Sequence, residues 1–418
     1  MQGDGKRLAP RVLQADQGNG HHPDSTKVTQ PPLDGVKVLE IGTFIAGPFA
    51  GQQLGDLGAE VVKVEPPGLG DPMRRWRDLG KGDLWWPSIS RNKRMVELDL
   101  ASEPGATTFL ELASHADIVL ENFRPGTLER WGIGPTELLE RNPKLVVVRV
   151  SGFGQDGPRS PEPGFGSIGE AIGGLRHLTG WPDQPSARCG ISLGDEVTAL
   201  FATIGAISAL RVAERTGHGQ VVDVAIYESV FALMESTVAE YEIDGRIRNR
   251  TGGALPGVAP SNVYLTADGA EILIAANSDA TFKRLAQVLG RVDLVERPEF
   301  ATHTERGRHA DDLDAIIAAE TRAWTARHLL AECRRMGVPA SKVYDAADIV
   351  DDPHFAARQT IVRHAVDGIG LVAMPAPVPR FSCSRTMVRW PGARAVGADT
   401  AAVLDDWGVA GRALEERS

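Results

Sequence analysis

The feature that most limits what this chain can fold into is Leu145-Val-Val-Val-Arg-Val150, a β-branched apolar run without polar alternation. A strand that reads this way is apolar on both faces. It therefore belongs inside a sheet covered on each side, the position of a central parallel strand. Related runs stand upstream: Val36 to Ile41, Ala59 to Glu65 (closed by Pro66-Pro67), Met95 to Leu100 and Ile118 to Glu121. Helical patterns separate them at Gly47 to Leu57, Glu103 to His115 and Gly134 to Arg141. Strand, helix and strand in this order form βαβ units with right-handed crossovers. Residues 33 to about 151 are thus expected to form a doubly wound α/β domain.

Downstream, Asp195 to Arg215 reads as a helix, with Leu200, Phe201, Ile204, Ile207 and Leu210 at helical spacing and Gly217 as its cap. Gln220 to Ala225 reads as a strand and Ile226 to Tyr241 as one amphipathic helix. After Gly245 the character changes to a basic Arg246-Ile-Arg-Asn-Arg250 and a Gly/Pro loop, Thr251 to Gly257. Strands at Ser261 to Thr266 and Glu271 to Ala276 meet at Asp268-Gly269, a hairpin signal. Helices at Asp279 to Leu289, Asp311 to Glu320 and Ala326 to Met336 complete a smaller α+β unit. Pro339 to Asp345 returns the chain, and a tail follows with Gly370 to Met374, a Pro-rich bend and a helix at Thr400 to Trp407. The expected division is a disordered leader over 1–32, a large domain over 33–228, a small domain over 229–350 and a C-terminal return over 351–418.

A net charge of −10 does not suit a nucleic-acid binder as a whole. Three widely spaced cysteines (Cys189, Cys333, Cys383) form no disulfide framework and no zinc spacing, so a cytoplasmic protein is expected. No run of about 18 apolar residues is read as a membrane span, and the leader lacks the apolar stretch of a secretory signal. His21-His22 lies in that leader and reads as incidental rather than as a metal site.

Gly190-Ile-Ser-Leu-Gly-Asp195 supports two chemistries. As G-x-S-x-G it would make Ser192 a hydrolase nucleophile, but that elbow needs a strand running into it, and Pro182 to Arg188 is not one. As a helix start it places Asp195 in the first turn. There a carboxylate either complements the helix dipole or serves as a nucleophile with backbone N–H groups nearby. Two G-x-G-x-x-G matches, at Gly152 to Gly157 and Gly164 to Gly169, fall outside any strand–glycine–helix unit and read as loops, not as a dinucleotide fingerprint. Arg74, Arg75 and Arg77 around Trp76, Arg91-Asn-Lys-Arg94, and Glu121-Asn-Phe-Arg-Pro-Gly126 followed by Arg130 suggest a phosphate-bearing nucleotide ligand. The other reading of each basic cluster is a solvated surface. Ligands of open α/β sheets bind beyond the strands' carboxyl ends, where Asn122 to Arg124 are expected.

Leu33-Asp-Gly-Val-Lys-Val-Leu-Glu40, Ala46-Gly-Pro48, Leu57 to Glu65, Arg91 to Arg94, Glu121 to Gly126 and Thr216-Gly-His-Gly-Gln220 together resemble the family III CoA-transferases, whose relatives include α-methylacyl-CoA racemases. The resemblance implies a Rossmann-like doubly wound sheet completed by the C-terminus, a smaller α+β domain and an interlocked, ring-like homodimer. It implies Asp195 as the catalytic residue. It implies coenzyme A contacts at Ile45, Ala46, Leu98, Asn122, Phe123, Arg124 and Arg130, with Phe165 beside the substrate. Gly252, Gly253 and Gly257 would form a loop closing over the acyl group. Acyl-CoA and a free carboxylic acid are the implied substrates, with no prosthetic group, metal, nucleic acid or membrane. The racemases carry a His-Asp pair where this chain has Phe165-Gly166, and moving a proton between two faces of a carbon needs two titrating groups. The resemblance therefore implies covalent transfer through Asp195, with backbone N–H groups at Gly194 to Val197 as oxyanion donors. Local wording at Gly164 to Gly180 and Pro256 to Asn262 resembles the branch that uses succinyl-CoA with malate, citramalate or a similar acid. Arg176, Arg188, Arg246, Arg248 and Arg250 are candidates to meet a second carboxylate, or else to pair with the chain's own acids. A racemase, or a CoA-binding protein without catalysis, are the alternatives.

Overall fold

A computed structural model of the chain describes residues 30–77, 80, 83–392 and 395–409. The expected leader lies, up to residue 29, outside the described residues. Six strands form one parallel sheet in the order β3-β2-β1-β4-β5-β6. They are β1 (Lys37–Glu40), β2 (Glu60–Glu65), β3 (Lys93–Glu97), β4 (Ile118–Glu121), β5 (Val146–Ser151) and β6 (Val221–Ala225). β5 is buried along its whole length, between β4 and β6. β3 begins two residues before the expected Met95, because Lys93 and Arg94 pair with Val61 and Val62 of β2.

The pleat sends alternate residues to two cores. On one face Leu39, Val62, Val119 and Val147 pack with Phe109 and Leu112 of helix Glu103–Ser114. Val403, Leu404 and Trp407 from the C-terminal helix Thr400–Asp406 join that core. On the other face Val38, Val61, Leu120 and Val148 pack against helices Ala46–Asp56 and Leu193–Thr216.

Helix Leu193–Thr216 uses only part of the face its large residues suggest: Ile207 and Leu210 pack into the core. Ala199, Ala202, Ala206, Ala209 and Ala213 form the buried stripe, while Leu200, Phe201 and Ile204 are exposed. The physical reason is close approach. This helix lies on the sheet beside helix Ala46–Asp56, itself rich in glycine and alanine, and larger side chains would force the layers apart. The helix is also long and apolar enough, by length and composition alone, to cross a membrane, contrary to the expectation of no such segment. Here it serves as a core helix of the α/β layer.

The expected helix over Ile226 to Tyr241 is two helices, Ile226–Phe231 and Thr237–Asp244. The break carries Glu235 in the left-handed region, a conformation that interrupts a helix. A three-stranded antiparallel sheet, β7 (Ser261–Leu265), β8 (Glu271–Ala275) and β9 (Ala340–Lys342), follows, with its hairpin turning at Gly269 (φ 74°). The expected return at Pro339 to Asp345 thus becomes β9. Helices Asp279–Val288, Ala310–Thr321 and Ala326–Met336 cover this sheet around a core of its own. Gly370 to Met374 finds a partner that its own sequence does not announce: β10 (Ile361–Val366) pairs antiparallel with β11 (Gly370–Pro375).

Candidate active site

The order of the sheet reverses between β1 and β4, so the loops leaving their carboxyl ends diverge and open a crevice. A cavity of about 550 Å³ occupies that position. Its walls are Thr43 to Ala46 after β1, Asn122 to Pro125 after β4, Ser151-Gly152 after β5, Phe165 to Ser167, and Arg188, Ser192 and Asp195.

Each loop is held by its own residues. Asn122 accepts from Thr43 N–H (2.7 Å) and donates to Thr43 C=O (2.8 Å). Its amide thus fixes the β1 loop, with Gly42 and Gly47 pressed against it. Phe44 takes a left-handed backbone (φ 62°), anchored where its N–H donates to Asp71 (3.2 Å). A non-glycine residue held there stores strain that the surrounding contacts must offset. The Phe44 ring meets Trp76 (5.4 Å) and Phe165 (6.2 Å) edge-on, giving the cavity an aromatic wall. Glu121 shapes the β4 turn: it accepts from Phe123 N–H and from Arg149, both at 2.7 Å. Burial pushes Glu121 up to about 7, with Arg149 opposing.

Asp195 stands in the first turn of helix Leu193–Thr216, against the start of helix Gly166–Ile172. Its carboxylate accepts from the Gly166 N–H and fills the space where a Cβ at position 166 would lie. A second acid in the place of Gly166 would collide with Asp195 as it stands. Burial, then Glu170, push Asp195 up to about 6, while Gly166 N–H and Arg188 oppose the rise and Glu196 adds to it. Glu170 is 1% exposed and lies behind Asp195. Its Oε1 accepts from Gly194 N–H (3.2 Å) and its Oε2 from Arg176 (2.9 Å). Gly194 N–H is therefore already engaged, and Glu196 N–H bonds Ser192 C=O. Of the expected donors Gly194 to Val197, these two are therefore not free to meet an oxyanion.

The cavity brings together Asp195, Ile45, Ala46, Asn122, Phe123, Arg124 and Phe165. It does not include Leu98, whose side chain is buried in the sheet core, nor Arg130, which donates to Thr127 (2.9 Å). Gly252, Gly253 and Gly257 lie apart from it. Gly252 donates to Gly180 C=O (2.9 Å) and packs under the Trp181 ring, Gly253 faces Asn262, and Gly257 abuts Gly307.

Outside Asn122 to Arg124, the basic clusters lie away from this cavity, and most of their cations are tied to the protein's own groups. Arg91 is buried against Asp56, Asn92 donates to Asp56 (2.8 Å), and Lys93 is buried against Glu40 (2.7 Å). Arg94 pairs with Glu60 and Asp406. Arg74 grips Glu65 beneath Trp86 and Arg75 donates to Leu69 C=O. Of the five arginines proposed for a second carboxylate, Arg176 pairs with Glu170, Arg246 with Asp244, and Arg248 with Glu235 and Glu240. Arg250 donates to His177 C=O. Arg188 alone lines the Asp195 cavity, and it has no ion pair or hydrogen bond among the described residues. Phe44, Trp76 and Glu170 escaped sequence reasoning as site residues. Trp76 stood out only as the centre of an arginine cluster, and Glu170 carried no motif at all.

A doubly wound parallel sheet whose switch-point cavity holds a buried carboxylate, Asp195, defines a ligand-binding protein of the α/β class. The description of CoA-transferase family III matches residues 33–400, and the chain belongs to that family. It is similar to the succinyl-CoA–D-citramalate CoA-transferase of Chloroflexus aurantiacus, at 53% identity over 86% of this chain and 90% of that one. It is also similar to the β subunit of the succinyl-CoA–L-malate CoA-transferase of the same organism, at 38% identity over 92% and 95%. Among solved structures, a CaiB/BaiF family protein from Brucella suis matches with a TM-score of 0.79 and 32% identity, covering 91% of this chain and all of that one.

Proposed function

We propose that this CoA-transferase moves coenzyme A from succinyl-CoA to a second dicarboxylic acid of the citramalate or malate kind, with Asp195 as the covalent carrier. The observation that carries this reading is the Asp195 carboxylate facing a cavity lined by two guanidinium groups, Arg124 toward the coenzyme wall and Arg188 beside Asp195, the latter ready for a substrate's far carboxylate. Asp195 Oδ attacks the thioester carbonyl, the C–S bond breaks, and CoA thiolate leaves with the electron pair. The thiolate then attacks the aspartyl carbonyl and expels succinate, leaving an aspartyl-CoA thioester. The acceptor acid reverses these steps and departs as its CoA ester. The thioester's energy is kept throughout, so no ATP or metal enters the scheme, and no prosthetic group is needed.

Ile45, Ala46, Asn122, Phe123 and Arg124 form the wall that would receive coenzyme A; in this reading Arg124 meets phosphate and Asn122 holds the loop. Leu98 and Arg130 act from behind that wall. Phe165 and Trp76 flank the acyl end. A homodimer is supported by the apolar residues left outside the core: Leu200, Phe201 and Ile204, with Phe231, Leu233 and Tyr241 further on. Gly252, Gly253 and Gly257 lie outside the Asp195 cavity within one chain. A water-excluding lid from this segment would then come from the second copy. Three free cysteines and the acidic charge favour a reducing cytoplasm and speak against nucleic acid as a partner. The racemase alternative is disfavoured by Phe165, which cannot titrate, and by Gly166, whose Asp195 contact leaves no room for a second acid.

The test is exchange followed by mass spectrometry: succinyl-CoA with a panel of mono- and dicarboxylic acids. New CoA esters confined to dicarboxylates support the reading. Deuterium uptake into a 2-methylacyl-CoA without any acid exchange would replace it with the racemase.

A further inference from the structure

Glu170 is an expensive residue for its position. It is almost fully buried, and it stands beside another carboxylate. Holding the Gly194 N–H needs only a carbonyl oxygen, which a glutamine would present in the same shape. Burying a full charge instead carries a desolvation cost that one ion pair only partly offsets. Its other oxygen is held by Arg176, whose helix Leu175–Leu178 is joined to helix Gly166–Ile172 by Gly173-Gly174, with Gly174 in the left-handed region (φ 96°). The contact with Asp195's helix is tight. A Cβ at Gly194 would lie 3.0 Å from Glu170 Cγ and 2.9 Å from Gly166 C=O. Arg176 is thereby turned to Glu170 rather than toward the nucleophile. The charged groups that face Asp195 are Glu170 from behind, Glu196 along its own helix and Arg188 from the preceding loop. Arg124 and Glu162, the latter paired with Arg159, line the cavity beyond it.

The half-reaction gives this arrangement a use. Asp195 begins as an anion and becomes a neutral acyl group, and the negative charge leaves on succinate. Any fixed negative charge behind Asp195 therefore weighs on the free enzyme and not on its acylated forms. We propose that Glu170, clamped by Arg176 and the Gly194 N–H, is a positioning residue that orients the Asp195 helix turn and biases the nucleophile toward its acyl and CoA-thioester states. This inference rests on the CoA-transfer reading above.

The experiment compares wild type with Glu170→Gln, which keeps the shape and the bond from Gly194 N–H but removes the charge and the acceptor for Arg176. Each protein is equilibrated with succinyl-CoA and succinate, trapped with borohydride, and weighed intact, and the acid limb of the transfer rate is recorded. The Gln variant is expected to hold about fivefold to tenfold less aspartyl-CoA thioester, with its acid limb moved down by about half to one pH unit. Arg176→Met is the second variant and predicts the opposite sign, because the Glu170 charge then stands unopposed and the acid limb moves up. A purely structural role would damage both variants in the same direction. Equal thioester in wild type and Glu170→Gln with an unmoved limb overturns the inference, as does a downward or absent shift in Arg176→Met. If wild type itself forms no thioester at Asp195, it is the CoA-transfer reading that fails.

Discussion

In the N-terminal half of the sheet, Glu40 receives Lys63 (3.0 Å) and Lys93 (2.7 Å), and Lys63 also reaches Asp71 (2.8 Å), all of them buried. At the start of helix Leu193–Thr216, Asp195 and Glu170 are also withdrawn from water, but Arg176 answers only Glu170. The first cluster is balanced: two acids meet two ammonium groups. Burial works against the charge on Lys63, yet Asp71, Glu40 and Glu65 outweigh it and raise its affinity for the proton. Lys93 has less help, and burial brings it down to about 8 despite Glu40. The second cluster is one cation short, so Asp195 keeps a charge that its surroundings only half accept. Buried charge that is fully paired fixes a fold; buried charge left under-paired stays reactive. Gly51 shows how closely the first cluster is fitted, since a Cβ there would overlap Glu40.

The comparison breaks most sharply at Asp195. Asp195→Ala should lower transfer by at least about a thousandfold while circular dichroism stays native; retained turnover would remove Asp195 as the carrier. The opposite behaviour is expected of the balanced cluster. Glu40→Ala leaves buried Lys93 without its ion pair and Lys63 with Asp71 alone, and should cost about 3–5 kcal/mol, read as a lower urea midpoint. A near-neutral result would mean the cluster is not a stability element.

A third test joins activity to stability. Asp195's proton affinity is raised on folding, so its stabilising contribution is full below about pH 4 and lost as pH rises through about 6. Asp195→Asn should accordingly be more stable than wild type by about 2–3 kcal/mol at neutral pH, with the gain shrinking toward pH 4. The same ionisation predicts that wild-type transfer falls off below pH 6. Thermal melts and initial rates across pH 4–8 check both signs. The smallest effect concerns Arg188, the cation on the open side. Arg188→Met should raise KM for dicarboxylates about tenfold to a hundredfold and leave monocarboxylates nearly unchanged. A uniform loss for both would make Arg188 a general charge and not a specificity residue.

Much of this molecule is legible in the chain because the signals are local. Val146 to Ser151 announces a central strand by its own residues, Gly217 and Gly269 mark their turns, and Asp195 shows itself at a helix start beside Gly194. Misreadings arose where the deciding partner is far away in sequence. Arg91 to Lys93 has the look of a phosphate grip until Asp56 and Glu40, some 35 to 53 residues earlier, are folded against it. Leu200, Phe201 and Ile204 have the look of a buried face until the sheet chooses the alanine stripe. Periodicity and capping are properties of a few adjacent residues, so the sequence alone determined the parallel sheet, its helices and the candidate nucleophile. Which charges cancel, which arginine stays free and which acid sits behind Asp195 depend on contacts across tens of residues. Coulomb interactions and desolvation act through space, and only the tertiary structure sets those distances.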